Sequence, residues 1–312
     1  MKVGLIDLGS NTSKLLIAKK NSVSIGQCFE VLVEKSFPCR LFSVSSEKEL
    51  KISKERSLRL VECLKKFQNI CQKNQTNHLI VVATEALRKA GNSKEVIHFI
   101  KSQTGLKIRI LSGSEEAEAV NKGLQTDPVL LASKNYFALD IGGGSIEIIT
   151  VSNKKISNTS SLPIGAVSLA LANSSNLDIP LSPDVQIKTR EFVRQMIQTE
   201  LNCSPAKGFP VIGTGGTLVF LHLILKNMNN LSDNRSLQLP QIEKIAEEIC
   251  CLSLNERVKR FPSLPYDRAD VFPFGLLAII EIMKLFGANR ITHSFHNLRY
   301  GMVQDFFRSL DS

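Results

Sequence analysis

The sequence has no tryptophan and only three tyrosines among its 312 residues, and aromatic residues make up just 6% of it. A protein that stacks bases on an aromatic platform has little to build with here, so no specific nucleic acid is expected as a partner. Long apolar runs are missing as well. The longest, Val271 to Met283, is broken by Pro273, Gly275 and Glu281 and falls well short of the about 20 residues that span a bilayer. The opening M-K-V-G-L-I starts like an export signal, but Asp7 ends the apolar run at once. The seven cysteines (28, 39, 63, 71, 203, 250 and 251) are odd in number, scattered and free of any C-x-x-C. That pattern predicts reduced thiols in the cytoplasm, with no disulfide framework and no membrane partner. His293 and His296 are the one suggestive histidine pair. They have no cysteine or carboxylate close by in sequence, which argues against a metal centre there.

What is present is ordinary globular material, 43% apolar and 22% charged, in a length that fits two domains. The net charge of +10 is unevenly spread. Residues 1–125 carry 21 Lys and Arg against 12 Asp and Glu, whereas residues 126–312 carry 18 against 17. A one-sided positive field suits a polyanionic partner, and a basic solubilising surface is the plain alternative.

An internal repeat organises the chain. V-G-L-I-D-L-G-S-N-T-S-K-L-L-I-A at 3–18 is echoed by Y-F-A-L-D-I-G-G-G-S-I-E-I-I-T-V at 136–151. Asp7 and Asp140 match, as do Gly9 and Gly142, at an offset of 133 residues. Each copy reads as strand, tight polar turn, strand, and two copies predict two similar domains. Strand and helix alternate after each hairpin. A helical stripe runs over 53–73, a short strand over 79–83, and Thr84 is placed to cap a helix carrying Arg88. A strand over 106–111 precedes a helix from about Glu115. In the second half a strand ends near Gly213, and G-T-G-G-T at 213–217 opens a helix to about Leu225. Helices near 240–252 and 267–286, a strand near 289–292 and a last helix from Leu298 follow. This is an α/β chain, and Asp127-Pro128 breaks the pattern inside a candidate hinge at 123–134.

The chemistry-bearing residues sit at strand ends. An aspartate there can hold Mg²⁺ directly or through water, and the glycines after it admit phosphate oxygens to backbone N–H groups. Ser10, Asn11 and Ser145 add side-chain donors. A single D-x-G has a purely conformational explanation. Two copies plus a glycine-rich strand–helix junction make a stronger case, because a helix N-terminus is itself an anion site.

These loops resemble those of the actin, Hsp70 and sugar-kinase superfamily. More narrowly, the chain resembles the exopolyphosphatase and guanosine pentaphosphate phosphohydrolase (Ppx/GppA) family. The matching segments are D-L-G-S-N-T-S-K-L at 7–15, A-T-E-A-L-R at 83–88, L-S-G-S-E-E-A at 111–117 and D-I-G-G-G-S-I-E at 140–147. L-P-I-G-A-V-S-L at 162–169, G-T-G-G-T at 213–217, R-A-D-V-F-P-F-G at 268–275 and L-R-Y-G-M-V at 298–303 continue the series. The resemblance implies two actin-like (ASKHA, ribonuclease H-like) domains flanking a central cleft. The expected division is 1–124 and 125–312, with the last helix from about 298 a candidate to pack back on the first domain. The chain stops at Ser312, so the additional C-terminal helical domains of longer members are expected to be absent.

The resemblance also implies roles. Glu116 falls at the catalytic base, Glu147 is a second acidic residue of the cleft, and Arg88 meets substrate phosphate. Asp140, with Asp7 as the lesser candidate, would bind Mg²⁺. The phosphate cradle falls on Gly9, Ser10 and Asn11, on Gly142, Gly143, Gly144 and Ser145, and on Gly213, Gly215, Gly216 and Thr217. The implied activity is release of terminal phosphate from inorganic polyphosphate or guanosine pentaphosphate by a carboxylate-activated water. The implied partner is that polyanionic substrate, with a homodimer as a candidate assembly. The residues themselves support a division of labour between adjacent glutamates. Ser112-x-x-Glu115 has the form of a capping box, which would occupy Glu115 and leave Glu116 available. The plain alternative is that both are solvated helix-start carboxylates.

Two segments depart from the family pattern. The usual V-R-L-G-x-G-L reads Cys39-Arg40-Leu41-Phe42-Ser43-Val44, keeping the arginine and losing both glycines. Near the C-terminus, Ser294-Phe295-His296-Asn297 replaces an acidic and glycine-rich stretch, and Tyr300 replaces a glutamate while Arg299 survives. These changes keep open a second reading, a regulator that binds polyphosphate or guanosine polyphosphate with weak or no hydrolysis.

Overall fold

The computed structural model describes residues 1–21, 27–41, 51–201, 208–229 and 235–311. Cys203 and the Phe42-Ser43-Val44 stretch lie outside the described residues. The chain divides into two compact units, one of residues 1–132 with 296–312 and one of residues 133–295. The division falls inside the 123–134 stretch, later than residue 124, and residues 296–312 belong with the first unit.

The first unit begins with strands β1 (Lys2–Leu8), β2 (Thr12–Lys20) and β3 (Phe29–Pro38) and helix α1 (Lys54–Lys73). It continues through β4 (His78–Ala83), α2 (Glu85–Lys89), α3 (Ser93–Thr104), β5 (Ile108–Ile110) and α4 (Gly113–Leu124). The second unit opens with β6 (Tyr136–Ile141), β7 (Ile146–Ser152) and β8 (Lys155–Leu162). Helices α5 (Ala166–Asn173) and α6 (Pro183–Glu200), strand β9 (Val211–Thr214) and helix α7 (Gly216–Asn229) come next. Then follow β10 (Ser236–Gln238), α8 (Leu239–Cys250), α9 (Leu254–Arg260), α10 (Tyr266–Ala269), α11 (Phe272–Leu285) and β11 (Arg290–His293). Helix α12 (Leu298–Arg308) returns to the first unit.

The two sheets repeat one topology. The first has order β3-β2-β1-β4-β5, with β1–β3 an antiparallel meander and β4 and β5 parallel to β1. The second reads β8-β7-β6-β9-β11 in the same sense, with β10 added antiparallel at its edge. Both meanders carry a bulge, one between Ile17 and Ala18 and one between Thr150 and Val151. Those positions are again 133 residues apart, so the irregularity repeats along with the motif. The first strand of each sheet is buried on both faces, which is why Val3–Leu8 and Tyr136–Ile141 read as near-continuous apolar runs broken only by Gly4 and the aspartates.

Helix α11 is buried over Phe272–Met283, which explains the longest apolar stretch as core of the second unit. Its one carboxylate, Glu281, is paired with Arg190 at 2.7 Å and Arg194 at 2.6 Å from α6. Among the described residues no helix is long and apolar enough to cross a membrane. The helix expected over 267–286 is two helices, α10 and α11, separated at Asp270 and Val271. Thr84 occupies the N-cap position of α2 but makes no side-chain cap hydrogen bond. Helix α2 has only five residues and depends on its packing instead. The described cysteines are all free thiols.

Two glycines let α12 lie directly on α4. A Cβ on Gly301 would stand 1.9 Å from the Ala119 carbonyl oxygen, and one on Gly123 would stand 2.1 Å from that of Asn297. Gly301→Ala therefore forces two backbones apart and is expected to cost about 1–3 kcal/mol in urea unfolding. Gly105→Ala, whose Cβ meets nothing within 4 Å at φ +72°, carries left-handed strain alone, roughly 1–2 kcal/mol. Equal losses from both would mean that the α4–α12 contact is looser than described.

Candidate active site

In the first unit, Asp7 stands near the end of β1 opposite Lys14 of β2. Its Oδ1 is buried with no hydrogen-bond partner. Burial pushes the Asp7 carboxyl above its ordinary range, and the positive charges of Lys14 and Arg299 pull it back. Arg299, the surviving arginine of the altered C-terminal motif, is fastened nearby, donating to the Leu15 carbonyl and pairing with Glu34, both at 3.2 and 3.1 Å respectively. The turn beyond Asp7 is compact. Gly9 lies where a Cβ would meet the Thr12 carbonyl oxygen at 3.1 Å, and Ser10 and Asn11 are buried.

Helix α4 begins as its sequence demands. Ser112 Oγ accepts from Glu115 N at 3.2 Å, and Glu115 Oε2 accepts from Ser112 N at 2.8 Å, closing the capping box. Arg109 holds the other oxygen of Glu115. The Ser112 amide above all, then Arg109 and the Ser112 hydroxyl, draw the Glu115 carboxyl from its ordinary 4.5 down to about 2. Glu116, one residue on, turns the other way and is only 6% exposed. Arg88 Nη1 lies 3.1 Å from Glu116 Oε2 and donates to the Leu111 carbonyl at 2.7 Å. Helix α2 thus delivers Arg88 to the start of α4, and the two residues singled out for reaction and phosphate contact meet as an ion pair. Glu85, buried beside them in sequence, is committed to Lys89 at 2.5 Å.

In the second unit, register places Ser161, Glu147, Asp140 and Thr214 side by side across four strands, hence on one face. Glu147 is 1% exposed and accepts from Ser161 Oγ at 3.0 Å, so it is no outward residue of an exposed hairpin. The 142–145 turn is braced by the start of α5. Ala166 N donates to the Gly142 carbonyl at 3.1 Å, Val167 N to that of Gly143 at 2.7 Å, and Ser168 Oγ to that of Gly144 at 3.0 Å. Gly165 permits this closeness, since its Cβ would fall 2.6 Å from Gly143 C.

The other glycine loop meets the aspartate. Gly215 has φ +101°, and a Cβ there would lie 2.7 Å from Asp140 Oδ1 and 2.4 Å from the Ile141 carbonyl oxygen. Gly213 has a packing role inside β9, hemmed in by Leu218 and Ile291. A Cβ on Gly216 would stand 3.3 Å from Arg268 Nη1, and Thr217 Oγ1 lies against Gly275. Gly165, Ser168, Arg268 and Gly275 all belong to quoted motifs but carried no assigned role. Only the fold shows that they pack on the glycine loops. His293 and His296 fall in different units. His293 faces His222 with ring centroids 5.2 Å apart, whereas His296 stacks on Tyr300 at 4.0 Å. Tyr300 also packs on Phe29, so the residue in the glutamate's place belongs to an aromatic cluster. Among the described residues no three His, Cys, Asp or Glu side chains group to hold a metal.

Residues 16–310 match the Ppx/GppA phosphatase family. The chain belongs to that family. The bifunctional 3-dehydroquinate synthase/phosphatase of Fusobacterium nucleatum is 26% identical over 303 residues, which is 96% of this chain and 45% of that protein. The chain therefore spans less than half the length of this curated relative. An exopolyphosphatase from Cytophaga hutchinsonii superposes with a TM-score of 0.85 at 24% identity, over 99% of this chain and 98% of the other. The Aquifex aeolicus family member gives 0.78 at 22% identity, over 100% and 99%. These likenesses establish the fold, two actin-like domains of mixed sheets with flanking helices.

The capping box makes a prediction about pH. A carboxyl lowered on folding adds stability above its unfolded value, and the gain is lost as pH falls through the folded one. The unfolding free energy of the wild type should exceed that of Glu115→Gln above pH 4.5, and the gap should close towards pH 2. A gap that stays constant across that window would show that Glu115 does not cap α4 as an ion.

Proposed function

We propose that this family member is a phosphohydrolase that releases terminal phosphate from inorganic polyphosphate or guanosine pentaphosphate. The observation that carries the reading is the contrast between neighbours. Glu115 is spent on its own helix, while Glu116 is buried and held by Arg88. A buried, oriented carboxylate suits a general base that takes the proton of an attacking water. Arg88 then exchanges its carboxylate partner for the phosphoryl oxygens, where charge builds as the bond to the leaving group breaks. Glu147 adds a second carboxylate, and the turns at 9–11, 142–145 and 215–217 offer backbone N–H groups to the remaining phosphates.

Asp140 would hold Mg²⁺, with Asp7 the secondary ligand. The donor set fits. Asp7 Oδ1 is buried without a hydrogen-bond partner, and Mg²⁺ commonly keeps its waters and takes one or two carboxylates plus substrate phosphates. When bound, the ion supplies positive charge to the phosphate oxygens. The basic bias of residues 1–125 favours a polyanion over a small neutral ester.

The alternative of a binding regulator is motivated by Tyr300, which is bound into the Phe29 and His296 cluster where the family pattern has a glutamate. Side-by-side assays of phosphate release from tripolyphosphate, long polyphosphate and guanosine pentaphosphate with Mg²⁺ decide between them. The expected outcome is release from at least one substrate, abolished by chelation of the metal. Tight binding of any of the three with no release from all of them would favour the regulator.

A further inference from the structure

One flank of the Gly9–Asn11 turn is gripped by a segment that the reaction proposed above leaves unused. The Asn11 carbonyl accepts from Cys39 N and Arg40 N, both at 3.0 Å, and the Ser10 carbonyl accepts from Leu41 N at 2.9 Å. Arg40 is thus tied by its backbone to the turn itself. Its φ is +31°, a left-handed conformation that a non-glycine residue adopts at a cost and that clusters at ligand clamps. Strands β3 and β4 lie towards opposite edges from β1 in the sheet. Arg40, after β3, and Arg88, after β4, therefore approach the turn from two sides.

Arg56 stands beside Arg40. It lies in the first turn of α1, where its amide donates to the Ser53 cap at 3.3 Å. Its Nη1 donates to the carbonyl oxygen of Arg40, and both side chains are half-buried. Burial first, and then the charges of Arg40 and Arg59, lower the Arg56 pKa, with Glu55 acting against them. Arg59 differs, being exposed and paired with Glu55 at 2.6 Å. Two guanidiniums fastened together in a half-buried place repel each other. A phosphate between them converts the repulsion to attraction, and their planar forks match its oxygens.

We propose that Arg40 and Arg56 form a phosphate subsite beside the Ser10–Asn11 turn, taking a substrate phosphate other than the one released. This rests on the phosphohydrolase reading for its substrate class. It makes Arg56 a determinant of how many phosphates the protein grips, and so of the preference between short and long chains. The test is calorimetric titration of the full chain with orthophosphate and with tripolyphosphate, without Mg²⁺ so that nothing turns over. In Arg56→Met the loss of charge-assisted bonds should weaken tripolyphosphate about tenfold and orthophosphate by less than about twofold. Arg59→Met should change neither. Arg56→Lys keeps the charge and loses the fork, so its loss for tripolyphosphate should be intermediate. If the methionine variant does not fold, the lysine variant decides, and wild-type tripolyphosphate affinity in it overturns the subsite. Equal losses for the two ligands in Arg56→Met, or none for tripolyphosphate, overturn it too. A selective tripolyphosphate loss in a protein that releases no phosphate would keep the subsite and end the hydrolase reading.

Discussion

A carboxylate as enclosed as Glu116 has to be paired, and the Arg88–Glu116 contact is the constraint on which the first unit's site depends. Removing one partner of such a buried pair costs about 3–5 kcal/mol, because the other charge is left without compensation. The surrounding structure is arranged to keep the pair in place. Helix α2 is only five residues long, yet it carries Arg88 to the Leu111 carbonyl and to Glu116. The capping box at Ser112 fixes where α4 starts and therefore which of two adjacent glutamates turns inward. Gly301 and Gly123 then hold α4 against α12, which brings Arg299 into the same unit as Asp7.

The two units show how one duplicated frame diverges in charge. Offset by 133 residues, Lys14 in the first sheet corresponds to Glu147 in the second, and each stands opposite its strand-end aspartate. The first frame therefore pairs Asp7 with a cation. The second places Asp140 beside a carboxylate, an arrangement that suits a cation arriving from outside. The proposed division of roles follows this difference, with the base and arginine in one unit and the principal metal ligand in the other.

Much of this was legible in the amino-acid sequence because it was locally encoded. The repeat, the strand-end aspartates, the glycine turns and the capping box each depend on residues a few positions apart. The paired sheets and the separate fates of Glu115 and Glu116 were readable for that reason. Other features depend on distant contacts and left no local signal. The failure of Thr84 to cap, the packing role of Gly213 and the bracing of the 142–145 turn by Gly165 and Ser168 emerge only when strands assemble. The break of the long helix at Asp270 was hidden within one apolar run. Helices α3, α6 and α9 carry no chemistry-bearing motif and drew no attention. Arg56 looked like one more basic residue of a solvated helix until its guanidinium was seen against the Arg40 carbonyl.

The central claim is that two neighbouring glutamates do different work, and a pair of near-isosteric substitutions measures it most directly. Phosphate release by Glu116→Gln and Glu115→Gln should be compared at saturating substrate, with binding affinity recorded for both. A positioned general base is worth about 10²–10⁴-fold in rate. Glu116→Gln should therefore lose kcat by about that factor while retaining affinity, and Glu115→Gln should keep nearly wild-type kcat because an amide still fills the capping position. Comparable rates in the two variants, or a greater loss in Glu115→Gln, would contradict the account.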